Sequence, residues 1–193
     1  MTEDLRAMGP DAGRSAVTGD VYDPRTILFH WLTAALVALQ WVGAHYIDAF
    51  PRGPLRVDAR ATHICIGVAL IGLLVLRLAW RTTRGRRLPA VAWAPARYLA
   101  VATHWLLYAL LAAVLVAGVA NTWIRGDSLF GLVKIPSLAP GDTALRHQVE
   151  EVHELLANTL LIVAGAHALA GIAHEVILRD RTLRRMWPAA RPR

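Results

Sequence analysis

The chain carries a single cysteine, Cys65, so no intramolecular disulfide is available to it. Acidic residues are also scarce, 14 against 21 Lys and Arg, and charged residues make up only 18% of a composition that is 55% hydrophobic. That balance is too apolar for an ordinary soluble domain and reads as one membrane domain. The net charge of +7 is carried by loops and tails. No soluble basic module is present, which excludes nucleic acid as a partner. Residues 1–20 contain Glu3, Asp4, Asp11 and Asp20 and hardly any large apolar side chain, so a disordered cytoplasmic tail is expected over 1–21. They lack the basic n-region and apolar core of a signal peptide, and the first apolar span is expected to stay in the mature protein. No internal repeat or low-complexity tract is evident.

Long apolar runs fill the rest. Stretches at 27–45, 61–80, 98–120 and 155–178 each approach the roughly 20 residues needed to cross a hydrocarbon core of about 30 Å. The expected fold is all-α, an integral membrane four-helix bundle over 22–188, followed by a short basic tail at 189–193. Arginines concentrate in the second loop, at Arg81, Arg84, Arg86, Arg87 and Arg97, and in the C-terminal region from Arg179 to Arg193. The first loop has only Arg52, Arg56 and Arg60, and the third only Arg125, Lys134 and Arg146. Positive residues favour the cytoplasmic side, so both termini are expected there.

Four histidines lie within these runs: His30 and His63 open the first two, and His153 and His167 share the fourth. Fourteen residues on a helix span about 21 Å and return to nearly the same face. Imidazole is costly in hydrocarbon unless it is bonded, and a metal takes one ring nitrogen while a carbonyl or carboxylate takes the other. The spacing therefore points to two stacked haems. Topology pairs His63 with His153 towards the outside and His30 with His167 or His174 towards the inside. His174 lies seven residues beyond His167 and faces about the same way, so position alone leaves that choice open. Two ligands per iron favour electron transfer over oxygen binding. With no C-x-x-C-H segment, each haem is of b type.

Other residues have plainer readings. His104, beside Trp105, reads as an interfacial residue or a propionate contact, and His45 and His147 as residues in water or among headgroups. Cys65 reads as a small apolar residue beside a neighbouring helix. Arg77, near the inner end of the second span, snorkels to headgroups by default or pairs with a propionate.

Several segments resemble the bacterial cytochrome b561 family of four-helix di-haem membrane cytochromes, which is related to the cytochrome b subunits of hydrogenases and formate dehydrogenases. They are Y-D-P-R-T-I-L-F-H-W-L (22–32), H-I-C-I-G (63–67), L-V-L-R-L (74–78), W-I-R-G (123–126), V-H-E-L-L-A-N (152–158), G-A-H-A-L-A-G-I-A-H (165–174) and R-D-R-T-L-R-R-M-W-P (179–188). Their order and spacing cover the chain from Tyr22 to Pro188. The resemblance implies iron ligation by His30, His63, His153 and His167, and it selects His167 over His174. It also implies two haems b in a bacterial inner-membrane protein. A periplasmic one-electron donor would deliver to the outer haem, and ubiquinone would collect electrons, at the inner haem. Compact members are similar to superoxide:ubiquinone oxidoreductases.

Arg52, Arg56, Arg60, Arg125 and Lys134 would then form a basic mouth for an anion such as superoxide, or else face lipid phosphate. Lys134, in F-G-L-V-K-I-P, lies on a short amphipathic stretch over the outer haem. Partners to look for are the bilayer, ubiquinone, the donor, and a second copy or an oxidoreductase subunit. Two alternatives follow: a cytochrome anchor fed by a hydrogenase- or dehydrogenase-type partner, and a haemless transporter or structural protein.

Overall fold

Asp23 starts the first helix: its carboxylate accepts from Thr26 N at 3.0 Å, and Pro24 occupies the first turn, where no amide donor is needed. From there the computed structural model, which describes residues 21–86, 88 and 94–187, runs through four long helices. They are α1 (Pro24–Ile47), α2 (Pro54–Thr83), α3 (Ala94–Arg125) and α4 (Thr143–Val176), of 24, 30, 32 and 34 residues. At about 1.5 Å per residue all four exceed a hydrocarbon core of about 30 Å. All four have the length and hydropathy of membrane spans.

The expected all-α fold needs one correction. Ser128–Leu129 (β1) pairs antiparallel with Val133–Lys134 (β2), Ser128 opposite Lys134 and Leu129 opposite Val133. Phe130 and Gly131 turn the chain with φ of 53° and 70°, and Leu132 N donates to Leu129 O at 2.9 Å. Two consecutive left-handed residues give the turn that suits a two-stranded ribbon. The 1–21 and 189–193 tails lie outside the described residues, apart from residue 21.

Helix α1 packs along α2 and α3 along α4, and α2 joins the two hairpins to each other. Helices α1 and α4 meet only briefly. The buried core is leucine from three helices: Leu70, Leu73 and Leu74 of α2, Leu111 and Leu115 of α3, and Leu160 of α4. Apolar side chains stand exposed along all four helices, Leu39, Val75, Val116 and Ile162 among them, as lipid solvation allows. Cys65 is exposed on α2. It is not tucked beside a neighbouring helix as its small size led one to expect.

Polar bonds tie the helix ends. Trp41 Nε1 of α1 donates to Asn158 Oδ1 of α4 at 2.8 Å, and Gln40 Nε2 donates to the His63 carbonyl at 2.8 Å. At the opposite end Asp23 also accepts from Trp80 Nε1 at 2.9 Å and from the Arg86 amide at 3.2 Å. A short 3₁₀ turn, Leu183–Met186, folds back there: Tyr22 N donates to Arg185 O at 3.0 Å, and Trp31 Nε1 to Met186 O at 2.8 Å.

Candidate haem sites

Two imidazole pairs lie at two levels of the bundle. The His63 and His153 rings stand 6.3 Å apart between centres with planes at 82°, and His30 and His167 stand 6.3 Å apart at 76°. A metal about 2 Å from each coordinating nitrogen, with about another ångström from nitrogen to ring centre, separates two facing imidazoles by about 6 Å. Both pairs fit a shared iron.

At the His63 level the second ring nitrogens differ. His153 Nδ1 donates to the Val114 carbonyl of α3 at 3.1 Å, which fixes that proton and leaves Nε2 as the metal-facing nitrogen. His63 Nδ1 is buried with no hydrogen-bond partner among the described residues. Gly118 lies against the His153 ring; a Cβ built there would come 3.1 Å from Cε1. The absent side chain is what admits the ring.

Three imidazoles gather at the other level. His104 of α3 lies 5.1 Å from His167, edge to face, and its Nδ1 donates to the Ala100 carbonyl. That spacing is about an ångström too short for a metal held between facing rings, so His30 is the better partner for His167. His174 points elsewhere: its Nδ1 bonds the Asp180 carboxylate, which Thr182 also holds through its amide and hydroxyl at 3.0 and 2.7 Å. Burial opposes ionisation of Asp180, but these bonds outweigh it and hold its pKa below the ordinary 3.8.

Arg77 does not snorkel outward. Its Nη2 donates to His30 Nδ1 at 3.1 Å, and its guanidinium sits 5.3 Å over the Tyr108 ring, with that of Arg81 at 5.8 Å. Coordination through His30 Nε2 would put the proton on Nδ1 and release the Arg77 donor for an anion. A haem propionate supplies that charge, so the residues fit the group.

The loops around the His63 level are less basic than a residue count implies. Arg56 bonds the Asp48 and Phe50 carbonyls and lies 3.4 Å from the Asp48 carboxylate. Arg60 and Arg125 flank Asp127 at 3.6 and 3.7 Å, and Arg125 reaches Glu150 at 3.0 Å. Burial raises the Asp127 pKa, against the pull of Arg125, Arg60 and Arg146. Lys134 and Arg146 make no ion pair among the described residues. With Arg125 they line an open pocket of about 620 Å³ beside the hairpin. His45 bonds the Trp41 carbonyl at 2.8 Å, and His147 lies 3.4 Å from Glu151; both are exposed.

Residues that the sequence reading passed over therefore carry part of this geometry: Gly118 by leaving space, Val114 and Ala100 by their carbonyls, and Tyr108 by lying beneath Arg77 and Arg81, the latter read from sequence only as a loop cation. A glycine inside an otherwise apolar span is a signal of close approach. The carbonyl and cation contacts have no one-dimensional signature.

Relatives of known name match nearly the whole chain. The family model described as prokaryotic cytochrome b561 matches residues 21–189. A Yersinia pestis protein named "Probable superoxide oxidase CybB" is 31% identical over 175 residues, covering 88% of this chain and 97% of that one. "Cytochrome b561 homolog 2" of Escherichia coli is 29% identical over 178 residues, covering 88% and 92%. "Cytochrome b562" of Cereibacter sphaeroides is 26% identical over 177 residues, covering 89% and 96%.

Proposed function

The chain belongs to the prokaryotic cytochrome b561 family of haem-b electron-transfer proteins of the inner membrane, and from that membership we propose that it holds two haems b and passes single electrons from superoxide to ubiquinone. One observation supports the two-haem reading above others: the same 6.3 Å ring spacing recurs at two levels. His153 and His167 lie fourteen residues apart on α4, about 21 Å along its axis.

In this reading His63 and His153 hold one haem, and His30 and His167 hold the other. Bound haem would supply a one-electron iron couple, and two histidines holding each iron would suit electron transfer rather than oxygen binding. The Val114 carbonyl fixes the His153 proton on Nδ1, and Gly118 leaves room for the ring. Arg77 turns from His30 to a propionate. The leucine core keeps water from the space between levels.

Charge supports one orientation of this arrangement. Arg81, Arg84, Arg86 and the C-terminal arginines favour a cytoplasmic side for the His30/His167 level and a periplasmic side for the His63/His153 level. Superoxide then meets the second level, where Lys134 and Arg146 offer positive charge. Ubiquinone collects electrons at the first.

The purified protein should show a reducible b-type spectrum and about two haems per chain. Rapid mixing with superoxide should reduce the oxidised protein, and a ubiquinone analogue should reoxidise it. A spectrum that superoxide leaves unchanged would remove the superoxide reading and leave the cytochrome in place.

A further inference from the structure

The two levels differ in their charge. Arg77 and Arg81 sit one turn apart near the end of α2, with Tyr108 of α3 beneath both guanidinium groups. Neither has a carboxylate partner among the described residues. Arg77 acts on both His30 and His167, and both arginines act on His104. Asp23, at the start of α1, takes hydrogen bonds from Thr26, Trp80 and the Arg86 amide and forms no ion pair with either arginine. Asp180 and Glu175 are engaged by His174 and Arg184.

The His63/His153 level is nearer to balance. Arg60 lies near His63 but shares Asp127 with Arg125, and Glu150 lies near His153 while pairing with Arg125. Arg146 also acts on Asp127, so three cations meet two carboxylates there, whereas Arg77 and Arg81 have no carboxylate partner among the described residues. Lys134 and Arg146 stand beside the hairpin, where Lys134 is exposed and water screens its charge.

A haem brings two negative propionates wherever it binds. At the His30/His167 level Arg77 and Arg81 offset them. At the other level carboxylates offset most of the nearby positive charge, and the propionates keep more of their field. Taking up an electron lowers the positive charge on an iron, so unpaired cations favour the reduced state and uncompensated anions oppose it. In a low-dielectric interior those fields act strongly.

We propose that Arg77 and Arg81 make the His30/His167 haem the higher-potential one, so that an electron arriving at the His63/His153 level runs downhill across the bundle. This rests on the two-haem reading. In the step, the His63/His153 iron is oxidised from ferrous to ferric and the His30/His167 iron is reduced from ferric to ferrous. One electron moves, and no bond or proton changes. Both arginines are positioning charges rather than ligands.

Spectroelectrochemistry of the purified full-length protein tests this. His153→Ala leaves the His30/His167 haem and His167→Ala leaves the other, so each midpoint is assigned independently. The His153→Ala protein should show the higher midpoint. Arg77→Gln and Arg81→Gln should each lower the His30/His167 haem's tendency to be reduced by about tenfold, about 59 mV for one electron. Arg77→Lys and Arg81→Lys should restore most of it. If Arg77→Gln loses a haem, Arg81→Gln carries the comparison. Equal or reversed midpoints, or glutamine variants that leave both unchanged, would overturn the proposal. A haem-to-chain ratio of one in the unsubstituted protein would instead overturn the two-haem reading.

Discussion

Gly118 of α3 and His153 of α4 touch where a side chain on the glycine would fall: a Cβ there lies 3.1 Å from His153 Cε1 and 3.5 Å from Nδ1. The ring cannot retreat without losing its bond to the Val114 carbonyl. Gly118→Ala forces a shift of a few tenths of an ångström, and Gly118→Val a larger one. The valine variant should lose the His63/His153 haem and keep the other, and the alanine variant should bind it weakly. The pyridine haemochrome ratio, falling from two per chain towards one, measures this. An unchanged ratio in Gly118→Val would show that the ring has room to spare.

His167 and His174 sit seven residues apart on one helix, yet they face different partners. His167 faces His30, whereas His174 holds Asp180 and through it the turn that leads to the Leu183–Met186 segment. His167→Ala should therefore remove one haem. His174→Gln should keep both and loosen the C-terminal fold-back, which proteolysis near Arg179 and Arg181 would report. Loss of a haem in the His174 variant alone would reverse the assignment.

Asp23 ties the start of α1 to the end of α2 through Thr26, Trp80 and the Arg86 amide. Burial acts to raise its pKa, but the hydrogen bonds win and hold it below 3.8. An acid whose pKa is lowered by folding adds stability that is fully present above its ordinary value and lost as pH falls through the lowered one. Thermal stability in detergent should thus drop below about pH 4. Asp23→Ala should remove that part of the acid dependence and cost about 1 kcal/mol for the lost cap, with more for the stranded indole N–H. A variant with the parent's acid profile would place the titrating group elsewhere.

The sequence shows the four spans because lipid demands apolar side chains, and it shows their ends poorly because lipid demands nothing beyond the headgroups. Helix α4 begins at Thr143, twelve residues before its apolar run, because Asp142 caps it by accepting from Leu145 N at 2.9 Å. Its first three turns carry Arg146, His147, Glu150 and Glu151, which hydropathy reads as loop. The hairpin escapes for another reason: its strands are two residues each, too short for alternation, and Phe130 occupies a left-handed position that its side chain does not advertise. The meeting of His63 with His153 is legible because helical spacing sets their depth, whereas spacing leaves His167 and His174 equal as partners of His30. Arg77 is not, since a guanidinium near a helix end can turn out to headgroups or in towards His30, and only Tyr108 and His30 across the helix boundary decide it.

Three cations near the His63 level are already paired, Arg56 with Asp48, Arg60 with Asp127, and Arg125 with Asp127 and Glu150. Their fields are largely cancelled at the distance from which a small anion approaches. Lys134 and Arg146 make no direct ion pair among the described residues, although Arg146 acts on Asp127 from farther away, so steering by this face falls more to them than to the paired arginines. Lys134→Gln and Arg146→Gln should each slow the second-order reduction of the protein by superoxide severalfold at low salt, and the double variant more. Raising ionic strength from 10 to 150 mM, stated as about 30 and about 8 Å of Debye length, should shrink the difference. Arg56→Gln should leave the rate nearly unchanged. Equal losses from Arg56→Gln and Lys134→Gln would mean that total charge, rather than the unpaired cations, sets the encounter.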